Sequence, residues 1–317
     1  MLSRVADSLY WLSRYLERAE HTARLTDVQI HLMLDQSPAA SAQRWGRVLT
    51  SLHMLPPRDE VYDARLLTNY ITFDAANPNS IVSCITNARE NARQLREHIS
   101  SEMWEQINTL YLQVKTQRID DIWETQPHAW FVAVKEGCHL FQGITDTTMN
   151  YNEGYQFIQA ARYLERATSV AQLLNVHFET FNDENGLGFD FLEWIGLLKS
   201  CTAFEAYCKV YMADLRPDTI AEFLILNREF PHSIGFSVKR VQDALLEIGE
   251  DTQSRRARGV NRLAGRLAAL VDYGQIDEIF AAGFQAFLNE MMRQCAQIHD
   301  AIFQAYVVYP VEREFSE

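Results

Sequence analysis

Glycine and proline are scarce, 13 and 8 among 317 residues, and long stretches contain neither. With Ala, Leu, Glu, Arg and Gln plentiful, that scarcity excludes a turn-rich β architecture and favours helix. The cysteines are few and scattered (Cys84, Cys138, Cys201, Cys208 and Cys295) with no CxxC. An odd count in a long chain excludes a disulfide framework and predicts reduced, mostly buried thiols in a cytoplasmic protein. No uninterrupted apolar run approaches the ~18–20 residues of a membrane span. Charges also interrupt the opening "MLSRVADSLYWLSRYLERAEHTARL" too early for a signal peptide. The expectation is a soluble, cytoplasmic chain without a membrane partner. GxGxxG, P-loop, GxSxG and HExxH motifs are absent, and no cofactor or metal is expected. A net charge of −13 argues against nucleic acid as a main partner, although a local basic patch could still hold phosphate.

What the sequence does contain is itself, twice. "RYLERA" stands at 14–19 and again at 162–167, 148 residues on (162 − 14). "WGRVLTSL" from Trp45 resembles "WIGLLKSC" from Trp194 at an offset of 149 (194 − 45). "NYITFDAANPNSI" (69–81) resembles "EFLILNREFPHSI" (222–234) at 153, sharing Pro78/Ser80/Ile81 with Pro231/Ser233/Ile234. Asn108 and Leu110 meet Asn261 and Leu263 at the same offset. Four anchors in order predict an internal duplication.

Each half then reads alike. A long amphipathic helix comes first, its stripe Leu2, Val5, Leu9, Leu12, Leu16, Ala19, Ala23, Thr26 and Ile30 at alternating 3/4 spacing. Phe157, Ala160, Leu164, Ala167, Ala171, Leu174 and Phe178 keep that phase. A linker follows (37–43 or 182–189), then a Trp-led helix near 43–54 or 190–212. A shorter helix ends in P-x-S-I, where Pro breaks it and Ser caps the next. A long charged helix closes each half. Further helices are expected near 128–145 and 276–304. The fold class is therefore all-α, two duplicated helical-bundle halves packed into one body, with residues 1–150 as the first half plus a connecting helix and 151–317 as the second.

The repeated hexapeptide poses a chemical question. With Leu16 at the centre of the buried stripe, Arg14, Glu17, Arg18 and His21 land opposite it. Arg162, Glu165 and Arg166 do the same in the second copy. Three readings follow. The face is solvated, with i,i+3 ion pairing of ~0.2–0.5 kcal/mol per pair. Or it is buried, pairing across the bundle, where losing one partner costs ~3–5 kcal/mol. Or it binds ligand or catalyses, with Glu17 and Glu165 as acid/base candidates and Arg14, Arg18, Arg162 and Arg166 as substrate-binding groups. "NARENARQLREHISSEMWEQIN" adds Arg89, Arg93 and Arg96, whose planar donor forks suit an anion or cross-bundle pairing to Glu17 and Glu165. Glu136 and His139 form a single Glu-x-x-His. A di-iron bundle needs two such helices, so His139 is counted with the substrate-binding candidates. Cys201 and Cys208 share a helical face without a further ligand, and "RRARGVNRLAGR" is the most basic stretch.

"VADSLYWLSRYLERAEHTARL", "NARENARQLREHISSEMWEQIN", "HLFQGITDTTMNYNEGYQFIQAARYLERA", "CTAFEAY" and "FLILNREFPHSI" together resemble the bacterial alpha-E family, a family of unknown function named for its helices and a Glu-Arg motif. The resemblance covers nearly the whole chain. It implies an all-α fold with Glu17/Arg18 and Glu165/Arg166 as the motif pairs. One position departs: Ala161 and Ser13 stand where a Gly is expected before the Arg. The resemblance also implies company. Such proteins are encoded beside, or fused to, a circularly permuted ATP-grasp protein, often with a transglutaminase-like protein nearby. The implied function is an accessory or co-catalytic role in peptide or amide-bond formation on an anionic peptide or amino-acid substrate. The alternative is a non-catalytic scaffold with the Glu-Arg pairs as buried clasps.

Overall fold

Thirty residues without a glycine or proline open the structure, a computed structural model describing residues 3–32, 38–55, 63–125, 127–181, 191–252 and 255–308. They form α1 (Ser3–Leu32). There follow α2 (Pro38–Ser51), α3 (Ala64–Thr72), α4 (Ile81–Gln94), α5 (Ser101–Lys115), α6 (Ile119–Trp123) and α7 (Pro127–Thr148). The second set is α8 (Glu153–Phe181), α9 (Phe191–Ser200), α10 (Phe204–Tyr211), α11 (Pro217–Leu226), α12 (Ile234–Thr252), α13 (Arg255–Asp272) and α14 (Ile276–Ile302), closed by a π-helical turn, Phe303–Val307. Every regular element among the described residues is helical, and one contiguous apolar core runs through both sets.

Contacts close into two rings. α1, α4, α5 and α7 pack in that cyclic order, and so do α8, α12, α13 and α14. The rings meet where α1 packs on α8. The Trp-led helices cross over, α2 lying on α8 and α9 on α1, with Trp45 and Trp194 buried. Buried positions match along the rings. Phe131, Val134, Cys138, Phe141 and Thr145 of α7 stand 157 residues before Leu288, Met291, Cys295, Ile298 and Ile302 of α14 (295 − 138). α2 and the Trp-led α9 end alike. His53 (φ 52°) and Thr202 (φ 53°) are both left-handed, with Met54 N–H donating to Leu49 O (2.9 Å) and Ala203 N–H to Leu198 O (2.7 Å). This is a Schellman-type ending.

Several boundaries differ from the sequence reading. The 190–212 helix is two, α9 and α10, because the left-handed Thr202 stops the first. The charged helix after Ser80 is a hairpin, since Ser100 Oγ accepts from Met103 N–H (3.1 Å) and starts α5 afresh. The last charged helix is likewise divided into α12 and α13. Most of the 37–43 linker lies within α2, and the 182–189 linker lies outside the described residues. The P-x-S-I endings behave as expected: Ser80 and Ser233 cap α4 and α12 by accepting from Ser83 N–H (3.2 Å) and Phe236 N–H (3.0 Å).

α14 is bent at Gly283, whose φ of 110° is one that L side chains rarely adopt. Gly283→Ala is expected to cost about 1–3 kcal/mol, read as a fall in the urea midpoint at unchanged slope.

Candidate functional site

α1 is buried on two faces. Its apolar stripe faces the first ring, while a second 3/4 progression, Tyr10, Arg14, Glu17, Glu20, Arg24, Asp27 and His31, forms a polar seam facing α14, α8 and α7 in turn. The face opposite Leu16 is therefore interior and not solvated: Glu17 and Glu165 are 2% and 5% exposed.

The pairing is reciprocal. Arg166 of α8 forks onto Glu17 of α1, Nε to Oε1 at 2.5 Å and Nη2 to Oε2 at 2.9 Å. Glu165 of α8 receives Arg18 Nε at 2.8 Å and Arg14 Nε at 2.5 Å from α1. Each helix thus gives the other a carboxylate and takes one back. This is the pattern of an isologous contact, in which residue i meets j and j meets i. The outer guanidinium nitrogens reach the P-x-S-I corners, Arg18 Nη1 to Asn79 Oδ1 (2.8 Å) and Arg166 Nη1 to Pro231 O (3.1 Å). Small residues allow the close approach: Ala161 is fully buried, and Ser13 Oγ donates to Ile158 O at 2.8 Å. A third cross-half pair joins Arg44 to Glu193, to which Arg47 also donates at 2.9 Å. Arg44 and Glu193 occupy equivalent positions, 149 apart (193 − 44).

The reciprocity is broken at one place. Where Arg14 reaches Glu165, its counterpart Arg162 meets Gln142 of α7 instead, and Gln142 Nε2 donates onward to Glu17 Oε2 at 3.3 Å. Arg162 Nε and Arg24 Nε are buried without a hydrogen-bond partner. Arg24 pairs with Glu20 one turn earlier. His139 stands at the edge of this cluster, half-exposed, its Nε2 3.2 Å from Glu20 Oε1.

Burial works against both carboxylates, yet the arginines overcome it. Arg14 and Arg18 hold Glu165 down to about 2, and Arg166 keeps Glu17 below the usual carboxylate range. The same burial lowers His21 to about 4 and pushes the Cys84 and Cys201 thiols up to about 12. A carboxylate so held carries no proton to donate at neutral pH, and both oxygens of each are engaged.

The other candidates separate. Arg89 donates to Asn108 Oδ1 (2.8 Å) and lies over Trp104 and Tyr111, Arg96 lies over Trp104, and Arg93 pairs with Glu90 at the surface. None of the three pairs with Glu17 or Glu165 among the described contacts, whose charged partners come from α1 and α8. Glu136 is exposed and apart from the His139–Glu20 contact. Cys201 is buried and Cys208 half-buried, both free thiols. Arg258, Arg262 and Arg266 of the basic stretch line an exposed face of α13. Two cavities, about 40 Å³ beside His177 and the Arg44–Glu193 pair and about 300 Å³ between α5, α6 and α7, are not lined by Glu17, Glu165 or the arginines that hold them. Sequence reasoning missed Gln142, Asn79, Arg24 and the Arg44–Glu193 pair. The polar 3/4 progression along α1 was the available signal for Arg24.

An all-helical body whose two rings are joined by buried, reciprocal Glu-Arg pairs is a helical module of interlocked halves. The chain belongs to the Alpha-E family, described as "A predicted alpha-helical domain with a conserved ER motif", which it matches over residues 1–307. The Glu-Arg dipeptide occurs in both central helices, at 17–18 and 165–166. Uncharacterized proteins of Mycobacterium bovis and of Mycobacterium tuberculosis strain CDC 1551 are each 21% identical over 323 aligned positions. A counterpart in strain H37Rv is 20% identical. The alignments cover 94% of this chain, which spans only 35% of the length of each relative. No solved structure matches the chain significantly. No described helix is long and apolar enough to cross a membrane.

Two outcomes are expected. Glu17→Gln or Glu165→Gln costs about 3–5 kcal/mol in urea unfolding, because buried arginines lose their counter-charge. The double change Glu17→Met with Arg166→Met costs less than Glu17→Gln alone. The acid limb follows from the shifts. Glu165, ordinarily at 4.5 and held at about 2, contributes on the order of 3 kcal/mol that is complete above its unfolded value and lost as pH falls towards 2. His21, ordinarily at 6.5 and lowered to about 4, binds its proton more readily in the unfolded chain, so stability also declines as pH drops through that window. Unfolding free energy against pH should fall in these two stages, and Glu165→Gln should lack the lower one.

Proposed function

We propose that this chain is a non-catalytic helical module whose Glu-Arg pairs clasp its two halves, and that it is the accessory partner of a circularly permuted ATP-grasp ligase forming peptide or amide bonds. The observation that carries the clasp is the reciprocal capture of Glu17 and Glu165 by arginines of the opposite central helix. Matched ring order and matched offsets support descent of the halves, near 1–150 and 151–317, from one duplicated unit. The ligase partnership rests on the family resemblance. The longer relatives, in which this unit is about a third of the chain, support a module that works joined to other domains. A transglutaminase-like protein is a further partner on the same ground.

The substrate side of this reading uses cationic excess. Around His139 the described charges are Glu17 and Glu20 against Arg24, Arg162 and Arg166, and two guanidinium nitrogens lack acceptors. A carboxylate of a peptide or amino acid would supply what they lack. A co-catalytic role for Glu17 or Glu165 would need the pairs to open.

The test is reconstitution of the chain with its neighbouring ATP-grasp protein, ATP and pooled amino acids, followed by mass spectrometry and ADP release. The expected result is product only with both proteins present. Arg162→Gln should raise the substrate KM while melting within a few degrees of wild type. Product formation indifferent to this chain would sink the partnership. A Glu165→Gln protein that melts like wild type yet abolishes turnover would replace the clasp by catalysis.

A further inference from the structure

At the far end of the polar seam, α1 and α7 bring together Asp27, His31 and His128, with one donor atom of each within 4.8 Å of the others. Asp27 is buried while the two imidazoles are about half exposed, at 51% and 58%. His128 Nδ1 lies 2.8 Å from Asp27 Oδ1 and His31 Nδ1 lies 3.5 Å from the same oxygen. His31 Nδ1 also donates to the Asp27 carbonyl (2.8 Å), which leaves Nε2 of that ring with its lone pair. The rings stand edge to face, centroids 4.7 Å apart. Lys135 Nζ takes the other carboxylate oxygen, Oδ2, at 2.7 Å. That contact occupies Oδ2 and leaves Oδ1 to the imidazoles.

We infer that Asp27, His31 and His128 form a binding site for a divalent transition metal of the zinc type, with Lys135 positioning the carboxylate. Two imidazoles and one carboxylate are a borderline donor set that favours Zn²⁺, Co²⁺, Ni²⁺ or Cu²⁺ over Mg²⁺ or Ca²⁺. Ligand atoms around a tetrahedral ion at ~2.0–2.1 Å stand about 3.3 Å apart, within the 4.8 Å that the three donor atoms span here. The exposed ring edges give an entry path and leave further coordination positions to water. An i,i+4 pair on α1 and a first-turn residue of α7 share the load, so the ion would pin two helix ends together.

The other ring supplies an internal comparison. At the offsets that align the helices, 148 for α1 with α8 and 157 for α7 with α14, the counterparts of Asp27, His31, His128 and Lys135 are Asn175, Glu179, Gln285 and Met292. There the two helices are joined by plain amide chemistry, Gln285 Nε2 donating to Asn175 O at 3.2 Å. Joining the ends of these helices requires neither imidazoles nor a buried carboxylate. The donor set in the first ring has a use beyond packing.

The experiment is titration of chelator-treated full-length protein with ZnCl2 by calorimetry and with CoCl2 by visible absorption, alongside thermal melts. One equivalent of Zn²⁺ should bind saturably and raise Tm. Co²⁺ should develop the d–d bands of a low-coordinate N/O site. His31→Gln and His128→Gln, both at exposed positions, should each weaken Zn²⁺ binding at least tenfold while melting like wild type in EDTA. Absence of stoichiometric binding, or binding equally tight in both histidine variants, overturns the site. Asp27→Asn should abolish the Co²⁺ bands. Should that variant fail to fold, the two histidine variants decide the question alone.

Discussion

A carboxylate cannot be taken out of water without a partner, and this fold contains two such carboxylates at its centre. The desolvation penalty for each ion is several kcal/mol, and only close, multiply hydrogen-bonded counter-charges offset it. Here the counter-charges are supplied from across the interface. Glu17 depends on Arg166, and Glu165 depends on Arg14 and Arg18. Neither half can satisfy its own glutamate with the geometry seen. The two rings are therefore coupled by electrostatic necessity as well as by the apolar contact of α1 with α8. A shift of one helical turn along either central helix would leave both glutamates facing the wrong partner, so the pairs also fix the register of the halves.

This constraint accounts for R-x-x-E-R standing in both central helices while their core residues differ. A solvated ion pair on one helix is worth too little to hold identity. A buried exchange of charges ties each central helix's arginines to the other helix's glutamate, so a change in one is penalised in both. The corners after α3 and α11 join the same arrangement, because Asn79 and the Pro231 carbonyl accept the outer nitrogens of Arg18 and Arg166. The P-x-S-I segments thus do two things, capping the next helix through Ser80 or Ser233 and closing the guanidinium shell.

Much of this was legible in the sequence, for reasons that also mark its limit. The Leu2–Ile30 periodicity identified α1, since one face of that helix is apolar in the ordinary way. The repeat of RYLERA marked the interface, and the choice between solvated, clasped and ligand-binding faces could be framed. It could not be decided, because helical phase says which residues share a face and nothing about what covers it. Arg89, Arg93 and Arg96 show the same limit: their spacing is that of an anion site, but aromatic rings of α5 and a surface glutamate take them up. Long helices were read through Leu95–Ile99 and Thr202 because no Gly or Pro marks those breaks. A capping serine and a left-handed threonine do the work instead.

The departure from perfect exchange is the part that bears on function. Were the interface only a clasp, Arg162 would be expected to mirror Arg14 and bind Glu17. Instead Gln142 is interposed, and Arg162 and Arg24 are left with guanidinium nitrogens that nothing accepts from. Leaving a buried charged donor unmet costs more than a neutral one, so a chain selected for stability alone would place an acidic or carbonyl group there. These two nitrogens lie near the half-exposed His139, on the polar seam that continues to Asp27. The Arg14–Arg18 side holds the halves together with its pairs closed, while the Arg162–Arg24 side retains two guanidinium nitrogens without acceptors near the half-exposed His139. On the function proposed above, that asymmetry gives the module one structural face and one receiving face in place of two equal sites.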